Sequence, residues 1–303
     1  MDRKIMAFLA IVEEGTLTAA ANRVGLAQPS LTKFLQRLEA ELGTRLFVRR
    51  TRGMELTSAG ESFLRHARRI EAEYRFAVEE IAATKNGGLP VLRIGAGPLY
   101  HMLHIPRVLR TLMEEFPGTR IDVVAGINPI VFPMLQRGEV DVVCGEIDAE
   151  LPSYGLELHP LVVVEHAMIM RPGHPLRDTL ITPETLAGSS FVLFQHDERF
   201  MKHLDAYMAG GAHRYRVAVS TSSFATGLRL VAETDHLMIA PAPLEPVITE
   251  AGLIIRHPAR TFWKMTTGLV TRGSSSSVPI IRTFVDLVRT SVRQFPEAMG
   301  QHV

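Results

Sequence analysis

The sequence predicts an α/β chain in which a small helical head and one long helix precede a larger α/β domain. Three observations support this prediction. Apolar residues recur with helical spacing between glycines in residues 1–43. An apolar stripe with a/d spacing then runs from Phe63 to Ile81. From Val91 onwards, short β-rich runs alternate with helical patterns, which is typical of a parallel sheet with helices on its faces.

The composition is that of a globular chain of two or three domains, with 303 residues, of which 46% are hydrophobic and 21% charged. No apolar run approaches the roughly 18 residues of a membrane span. The N-terminus lacks the small-residue cleavage site of a signal peptide. Cys144 is the only cysteine, which excludes intrachain disulfides and cysteine-based metal sites. We therefore expect a cytoplasmic protein.

The charge is unevenly spread along the chain. Residues 1–89 carry a net charge of +3 and the remainder −2. Within residues 23–52, seven basic residues stand against two acidic ones. Such a patch indicates contact with a polyanion, although a solvated basic face would explain the charge equally well.

Three helices are predicted in the head. The first ends at Gly15, and Thr18 is the expected N-cap of a second helix over residues 19–24. Gly25 ends that helix, because glycine readily adopts the left-handed backbone found there. Pro29 suits the first turn of a third helix. The buried stripe of this third helix is predicted to comprise Leu31, Phe34, Leu35, Leu38 and Leu42.

The second and third helices, joined by a short turn, have the helix-turn-helix arrangement. Such a second helix can enter the major groove of DNA and present side chains near its N-terminus to base edges. Glutamine, serine and threonine suit base edges, whereas lysine and arginine also neutralise phosphates. The candidates on or near its exposed face are Gln28, Ser30, Thr32, Lys33 and Arg37.

A short hairpin is predicted from residues 46–48 and 54–56. Its tip carries Arg49, Arg50 and Arg52, so it forms a wing that could reach the DNA backbone or the minor groove. The long helix follows, and Ser58 with Glu61 has the spacing of a capping box.

The long helix carries an apolar seam with a/d spacing. Its members are Phe63, Ala67, Ile70, Tyr74, Ala77 and Ile81. A narrow seam between strongly charged flanks favours pairing with a second chain. A single amphipathic helix packed on its own domain is the alternative. Residues 85–90 are rich in glycine and read as a hinge.

Residues 8–64 resemble the DNA-binding domain of LysR-type transcriptional regulators over its whole length. The alanine pair, Gln-Pro-Ser, Arg-Leu-Glu, Leu-Gly-x-x-Leu-Phe and Leu-Thr-x-Ala-Gly occur in family order and spacing. The resemblance implies a linker helix that pairs two chains, and a homotetramer. It places eight residues in contact with DNA, the first five in the recognition helix and the others in the wing: Gln28, Pro29, Ser30, Thr32, Lys33, Arg49, Arg50 and Arg52.

The C-terminal two thirds predict helices at 102–116, 129–137, 198–208, 224–233 and 278–293. Residues 157–170 predict two strands split by Glu165-His166. Two α/β units joined by crossing strands would enclose a cleft, and ligands bind beyond the carboxyl ends of strands. The candidate effector-binding residues are Pro98, Leu99, Tyr100, Asn128, Glu146, Phe194, Gln195, Ser222 and Phe224, each of which could instead be an ordinary loop residue.

This region also resembles the LysR-type effector domain, a two-lobed fold similar to periplasmic solute-binding proteins, through LRIGA, RGEVDVV, PLVVVE, RPGHPL and IAPAPL. The family commonly has Ser or Thr where Leu99 stands, and some acid-sensing members have Arg at the position of Glu146. These differences favour a neutral, hydroxylated or cationic effector, although Glu146 could instead cap a helix or pair with an arginine. The implied domains are 1–57, 58–90 and 91–303, with lobe 1 at 91–163 plus 266–303 and lobe 2 at 164–265.

We therefore expect a regulator that binds dyad-symmetric promoter DNA and responds to a small molecule, with RNA polymerase as a further candidate partner. A solute-binding protein would share the cleft, but it requires export and leaves residues 1–85 unexplained. Dinucleotide, P-loop and nucleophile-elbow motifs are missing from the sequence, so no enzyme or cofactor is predicted. The histidine pairs His101/His104 and His196/His203 are expected at the surface rather than on a metal. Cys144 is expected to be buried and inert.

Overall fold

The computed structural model describes residues 1–50, 53–86, 91–148, 155–195, 197–208, 212–275 and 278–294. These residues divide into two compact units, one of residues 1–85 with 136–139 and one of the remainder. Among the described helices, none combines the length and the apolar character that crossing a membrane requires.

The first unit consists of three short helices, an antiparallel hairpin and a long helix. The helices are α1 (Arg3–Glu14), α2 (Leu17–Arg23) and α3 (Gln28–Leu42), the hairpin strands are β1 (Phe47–Arg50) and β2 (Gly53–Leu56), and the long helix is α4 (Ser58–Asn86). The predicted head, hairpin and long helix are therefore confirmed. The strands are longer than predicted, so Arg49 and Arg50 lie on β1, paired with Met54 and Gly53, rather than at the tip of the hairpin.

Two helix starts differ from the prediction. Thr16, not Thr18, caps α2, because its hydroxyl oxygen accepts a hydrogen bond from the amide of Ala19 at 3.3 Å. Thr57, not Ser58, caps α4, since its hydroxyl oxygen accepts from the amide of Gly60 at 2.9 Å. Only a residue just before the first turn brings its oxygen within reach of the free amides there.

Two glycines of this unit are required by geometry. Gly25 has a φ of +66°, as predicted for the end of α2. Gly60 is needed for a different reason, because a Cβ there would lie 2.1 Å from the carbonyl oxygen of Leu46. The first turn of α4 therefore packs directly on the backbone that leads into β1.

One apolar core joins the helices, the hairpin and the start of α4. Phe8 is fully buried at its centre, with ring centroids 5.2 Å from Phe47 and 4.9 Å from Phe63. Ala20 and Ala21 are also buried, and their small side chains let α2 approach α1 closely.

The buried stripe of α3 is shorter than predicted. Leu31, Leu35 and Leu38 are buried, whereas Phe34 is only half-buried. Leu42 is 45% exposed, because it lies in the last turn of α3, outside the core.

The predicted seam of α4 has two parts. Ala67 belongs to the core of the first unit. Beyond it, the predicted members Ile70, Tyr74 and Ile81 form an exposed apolar stripe together with Val78, which stands in place of the predicted Ala77. The members of this exposed stripe are between 46% and 62% exposed.

The second unit alternates strands and helices. Its first half contains β3 (Val91–Ala96), α5 (Pro98–Leu103), α6 (Ile105–Glu115), β4 (Arg120–Ala125), α7 (Asn128–Gln136), β5 (Val142–Glu146) and β6 (Leu156–Met170). Its second half contains α8 (Pro183–Leu186), β7 (Ser190–Phe194), α9 (Glu198–Tyr207), β8 (Arg216–Thr221), α10 (Phe224–Glu233), β9 (Met238–Pro241), α11 (Glu245–Glu250), β10 (Ile254–Arg256), β11 (Lys264–Arg272) and α12 (Pro279–Arg293).

The main sheet is mixed, whereas the sequence predicted a parallel one. Its order is β10-β6-β11-β5-β3-β4, with β9 also paired to β6. Strands β4, β3 and β5 are parallel, but β11 lies antiparallel between β5 and β6. The difference arises because β6 and β11 cross between the lobes and pair in opposite directions.

Strand β6 is continuous, so the predicted split at Glu165-His166 is wrong. The backbone of Glu165 pairs with Lys264 of β11, and that of His166 pairs with Pro241 of β9. Both polar side chains are accommodated, because Glu165 forms an ion pair with Lys264 at 2.9 Å and His166 stacks on Trp263. The strand changes partners here without ending.

The helix predicted at 102–116 is instead two helices that meet at His104, with Pro106 in the first turn of the second.

Two further expectations concern burial. His104 is buried rather than at the surface, and its Nδ1 lies 2.9 Å from the hydroxyl oxygen of Ser291. Cys144 is buried as predicted, and its burial raises the pKa of the thiol.

Candidate functional site

The first candidate site is the start of α3. Gln28, Pro29 and Lys33 are exposed, and Arg37 is exposed one turn further along. Their exposure follows from the position of the buried leucines on the opposite face of the helix. This arrangement places an amide and two cations at the surface, where an external partner can reach them.

Two of the predicted residues on α3 are less available. Ser30 and Thr32 are half-buried, and the hydroxyl of Thr32 donates to the carbonyl oxygen of Gln28 at 3.0 Å. The side chain of Gln28 is itself 3.4 Å from the hydroxyl of Thr18. These contacts hold the first turn of α3 in place.

The hairpin presents the second group of basic residues. Arg49 and Arg50 are exposed on β1, and Arg50 pairs with Glu55 of β2 at 3.2 Å. Both members of this pair are more than 60% exposed, so water screens it strongly. Arg52 lies outside the described residues.

The second unit holds a cavity of about 380 Å³. One side is formed by residues that follow β3 and end β5, and by the start of α7. The other side is formed by β6, β9 and α9. Five aromatic side chains line it: Tyr100, Phe132, Phe194, Phe200 and Trp263. The volume and the largely apolar wall are those of a small-molecule site.

Two carboxylates share one arginine in this wall. Arg199 of α9 pairs with Glu146 at 3.2 Å and also with Asp148. The side chains of Glu146 and Asp148 are 14% and 18% exposed, whereas Arg199 is 43% exposed. Burial raises the pKa of Glu146 to about 7, with Arg199 opposing the shift and Asp148 and Asp197 adding to it.

A third carboxylate, Asp197, reaches the cavity from the start of α9. Its Oδ1 accepts a hydrogen bond from the amide of Phe200 at 3.0 Å, so it caps this helix. Burial raises the pKa of Asp197 above its usual value, although the hydrogen bond opposes the shift.

Two imidazole rings stack on Trp263. His166 lies at 4.4 Å and His203 at 4.6 Å between ring centroids, both nearly parallel to the indole. Burial lowers the pKa of His166 to about 4 and also lowers that of His203. Both histidines are therefore neutral at neutral pH.

Six of the nine predicted effector residues lie in the cavity wall. They are Pro98, Leu99, Tyr100, Asn128, Glu146 and Phe194. The amide of Asn128 donates to the carbonyl oxygen of Glu146 at 2.7 Å, so it ties α7 to the end of β5. The hydroxyl of Tyr100 lies 2.9 Å from that of Thr267, which fixes its ring.

The other three predicted residues do not line the cavity. Gln195 donates to the carbonyl oxygen of Ser220 at 3.3 Å, and Ser222 is exposed on the loop before α10. Phe224 is buried and stacks on Phe194 at 6.0 Å. It therefore supports the wall without forming it.

The sequence interpretation missed the residues that give the wall its charge and its stacked rings. These are Asp148, His166, Asp197, Arg199 and Trp263. The single tryptophan was a usable signal, since a lone tryptophan near β-rich runs is often buried in a core or a site. Nothing in local spacing indicated the others, because they come from separate segments of the chain.

Comparison with known families decides the class of protein. Residues 85–293 match the LysR substrate binding domain, and residues 3–61 match the lysR family of bacterial regulatory helix-turn-helix proteins. This chain belongs to the LysR family. It is a LysR-type, DNA-binding transcriptional regulator with an effector-binding domain, as the resemblance implied.

Relatives of this LysR-type regulator include the SDS degradation transcriptional activation protein of Pseudomonas sp. (strain ATCC 19151), 28% identical over 99% of both chains. The HTH-type transcriptional regulator PcaQ of Agrobacterium fabrum is 29% identical over 86% of this chain and 84% of its own.

Solved structures share the fold. A full-length OxyR variant from Pseudomonas aeruginosa has a TM-score of 0.63 at 20% identity and covers 99% of this chain and 96% of its own. CbnR, a LysR family transcriptional regulator, has a TM-score of 0.62 at 22% identity, with 96% and 99% covered.

Proposed function

We propose that this LysR-type regulator binds dyad-symmetric promoter DNA through paired heads and alters that complex when a small molecule occupies its cavity. The observation that carries the proposal is the exposed, polar start of α3 on the same unit as a basic hairpin. A helix with this character fits the major groove, while a basic hairpin suits the phosphates beside it.

Within this proposal the residues of the head have different roles. Gln28 and Lys33 address base edges, because they are exposed in the first two turns of α3. Arg37, Arg49 and Arg50 neutralise phosphates. CbnR, which shares this fold at a TM-score of 0.61 and 23% identity, has been solved in complex with its target DNA.

We assign the pairing of two chains to α4. Its exposed stripe of Ile70, Tyr74, Val78 and Ile81 is apolar and recurs every three to four residues, which suits a partner helix of the same kind. A pair of chains would present two heads to one face of the DNA, with half-sites one or more helical turns apart. We further propose a homotetramer, a cytoplasmic location and RNA polymerase as a partner at the promoter.

The cavity is proposed as the effector site. Its wall combines residues of both lobes, so a ligand there can favour one arrangement of the lobes over another. A ligand shifts such an equilibrium only by binding one arrangement better than the other. The proposal assigns no catalytic step to this chain.

The test is to select binding sites for the full-length chain from a random DNA pool. We expect recovered sequences with two half-sites related by a dyad. Arg50→Ala should weaken binding to all sequences several-fold and reduce the salt slope by about one. Gln28→Ala should instead relax base preference at one position of each half-site, by about 1–3 kcal/mol.

Arg177→Ala is the matched control, because Arg177 is also an exposed arginine, at 57%, but lies on a loop of the second unit. It should leave DNA affinity unchanged. Affinity that is insensitive both to salt and to Arg50→Ala would contradict the proposal.

A further inference from the structure

The charges of the described cavity wall do not balance. Glu146, Asp148 and Asp197 line it, and Arg199 is the cation that faces them. Arg199 bridges two of the three carboxylates and is itself partly solvated. The third carboxylate, Asp197, accepts a hydrogen bond from the amide of Phe200 and is also attracted by the charge of Arg199.

The histidines beside Trp263 do not correct this imbalance. His166, which lines the cavity, and His203, which stacks on Trp263, are neutral near pH 7, because burial lowers the pKa of each. Both also stack on Trp263. The two histidine rings cover indole surface of Trp263, so that surface is not available for a cation–π contact with a ligand. The carboxylates are the groups that can neutralise a cationic ligand.

The dimensions and the lining of the cavity also suit a ligand. Its volume is about 380 Å³, and its wall is largely apolar, with five aromatic side chains. His166 is 5% exposed, lines the cavity and places its Nδ1 3.4 Å from the carbonyl oxygen of Trp263. Pockets of this size and character typically hold a small organic molecule.

The acids do not form a metal site. In the part of the chain that the structure describes, no three carboxylate, histidine or cysteine side chains come together in a way that could hold a metal ion. The rest of the wall is largely aromatic or aliphatic. Such a wall favours an organic ligand with an apolar body and one charged group.

We propose that the effector is an organic cation, an amine on an aromatic or apolar body, with Glu146 and Asp148 as its anionic partners. This inference rests on the proposed function of the cavity as the effector site. The apolar body lies against Phe194, Phe200 and the edge of Trp263, while the ammonium group donates to the carboxylates and replaces part of their pairing with Arg199.

The proposal includes a pH dependence. The charged groups that act on Glu146 are Arg199 of α9, Asp197 at the cap of α9 and Asp148 on the segment after β5, and His166 of β6 lines the same cavity. Its pKa of about 7 means that it is partly protonated in the empty cavity near neutrality. An ammonium group favours the carboxylate form, so amine affinity should rise as the pH increases through about 7.

The experiment uses the full-length chain and three matched probes: phenethylamine, phenethyl alcohol and phenylacetate. They share a phenyl ring and a short side chain but are cationic, neutral and anionic. Trp263 is the only tryptophan and lines the cavity, so its fluorescence reports binding without a label. We expect phenethylamine to bind at least about tenfold more tightly than the alcohol.

Glu146→Gln should remove most of this advantage and its pH dependence while leaving the alcohol unaffected. Asp148→Asn is the second variant and should act in the same direction. Glu157→Gln is the matched control, because Glu157 lies on β6 outside the cavity wall and is 46% exposed. Thermal unfolding of each variant checks that it is folded.

The outcomes separate this inference from the proposed function. Equal affinity for the amine and the alcohol, preference for phenylacetate, or no binding of any probe at millimolar concentration overturns the cationic effector. If an anion binds and changes the DNA complex, the regulatory function stands and only the ligand class is wrong. If the amine binds as expected but leaves the DNA complex unchanged, the ligand class stands and the coupling to DNA fails.

Discussion

The head and the cavity use charge in opposite ways. The basic residues of the head, such as Lys33, Arg37 and Arg49, are exposed to water. The acids Glu146 and Asp148 are mostly buried in the wall of a cavity that is also lined by aromatic rings. The basic side chains of the head are accessible to a partner in solution, whereas the acidic side chains of the cavity are largely shielded from water.

This difference determines which solution condition controls each region. Exposed charges are screened by salt and keep their protonation state over a wide range of pH. The buried carboxylates of the cavity are screened little by salt, but burial brings the pKa of Glu146 close to neutrality. Salt should therefore control the head and pH the cavity.

The largest expected effect is that of salt on DNA affinity. Raising monovalent salt from about 50 to about 200 mM should weaken DNA binding by roughly 10³-fold, because several counterions return to the phosphates. Phenethylamine affinity in the cavity should change by less than about threefold over the same range. Fluorescence anisotropy of labelled DNA measures the DNA affinity, and Trp263 fluorescence measures the phenethylamine affinity. Equal salt dependence of the two affinities would contradict the difference between the head and the cavity.

The next effect concerns the stability of the second unit. Burial raises the pKa of Glu146 from 4.5 to about 7, so the folded state binds this proton more tightly than the unfolded chain does. Protonation of Glu146 therefore stabilises the folded state. This contribution to the free energy of unfolding is complete below about pH 4.5 and is lost as the pH rises to about 7. Glu146→Gln should therefore raise the free energy of unfolding by up to about 3 kcal/mol at about pH 8, with little change near pH 4.

Denaturant unfolding at several pH values measures this effect. Glu157→Gln, at an exposed position, should stay within about 0.5 kcal/mol of the parent chain throughout. Loss of stability in Glu146→Gln at alkaline pH would show that the ion pair with Arg199 outweighs the cost of burying the carboxylate.

The smallest effect tests the local structure of the head. Thr16→Ala should destabilise the first unit by about 1 kcal/mol, because Thr16 caps α2. Thr18→Ala should cost less than about 0.5 kcal/mol, since Thr18 lies inside the helix and makes one long contact with Gln28. Chemical denaturation of the two variants compares them directly, and the reverse order would contradict the observed cap.

Much of the head could be predicted because its signals are local. The left-handed turn at Gly25 and the proline in the first turn of α3 depend on a few neighbouring residues. Even here, the cap of α2 was misplaced by two residues, because Thr16 and Thr18 both have suitable side chains. Backbone geometry decided between them.

Less of the cavity could be predicted. Strand ends located Tyr100, Asn128 and Glu146, because ligand sites lie beyond the carboxyl ends of strands. The sequence alone did not decide whether Glu146 would cap a helix or pair with an arginine. The structure shows the pair with Arg199, more than fifty residues away in the chain.

The sequence by itself determined the order of elements, the helix-turn-helix with its basic hairpin, the apolar seam of the long helix and the LysR family. These features depend on residue type and on spacing of a few residues. Only the tertiary structure decided that β6 runs unbroken past Glu165, that His104 is buried, and that three carboxylates line the same cavity as Trp263. The physical reason is that burial, and with it the pKa of a group such as Glu146, depends on which distant segments pack around it.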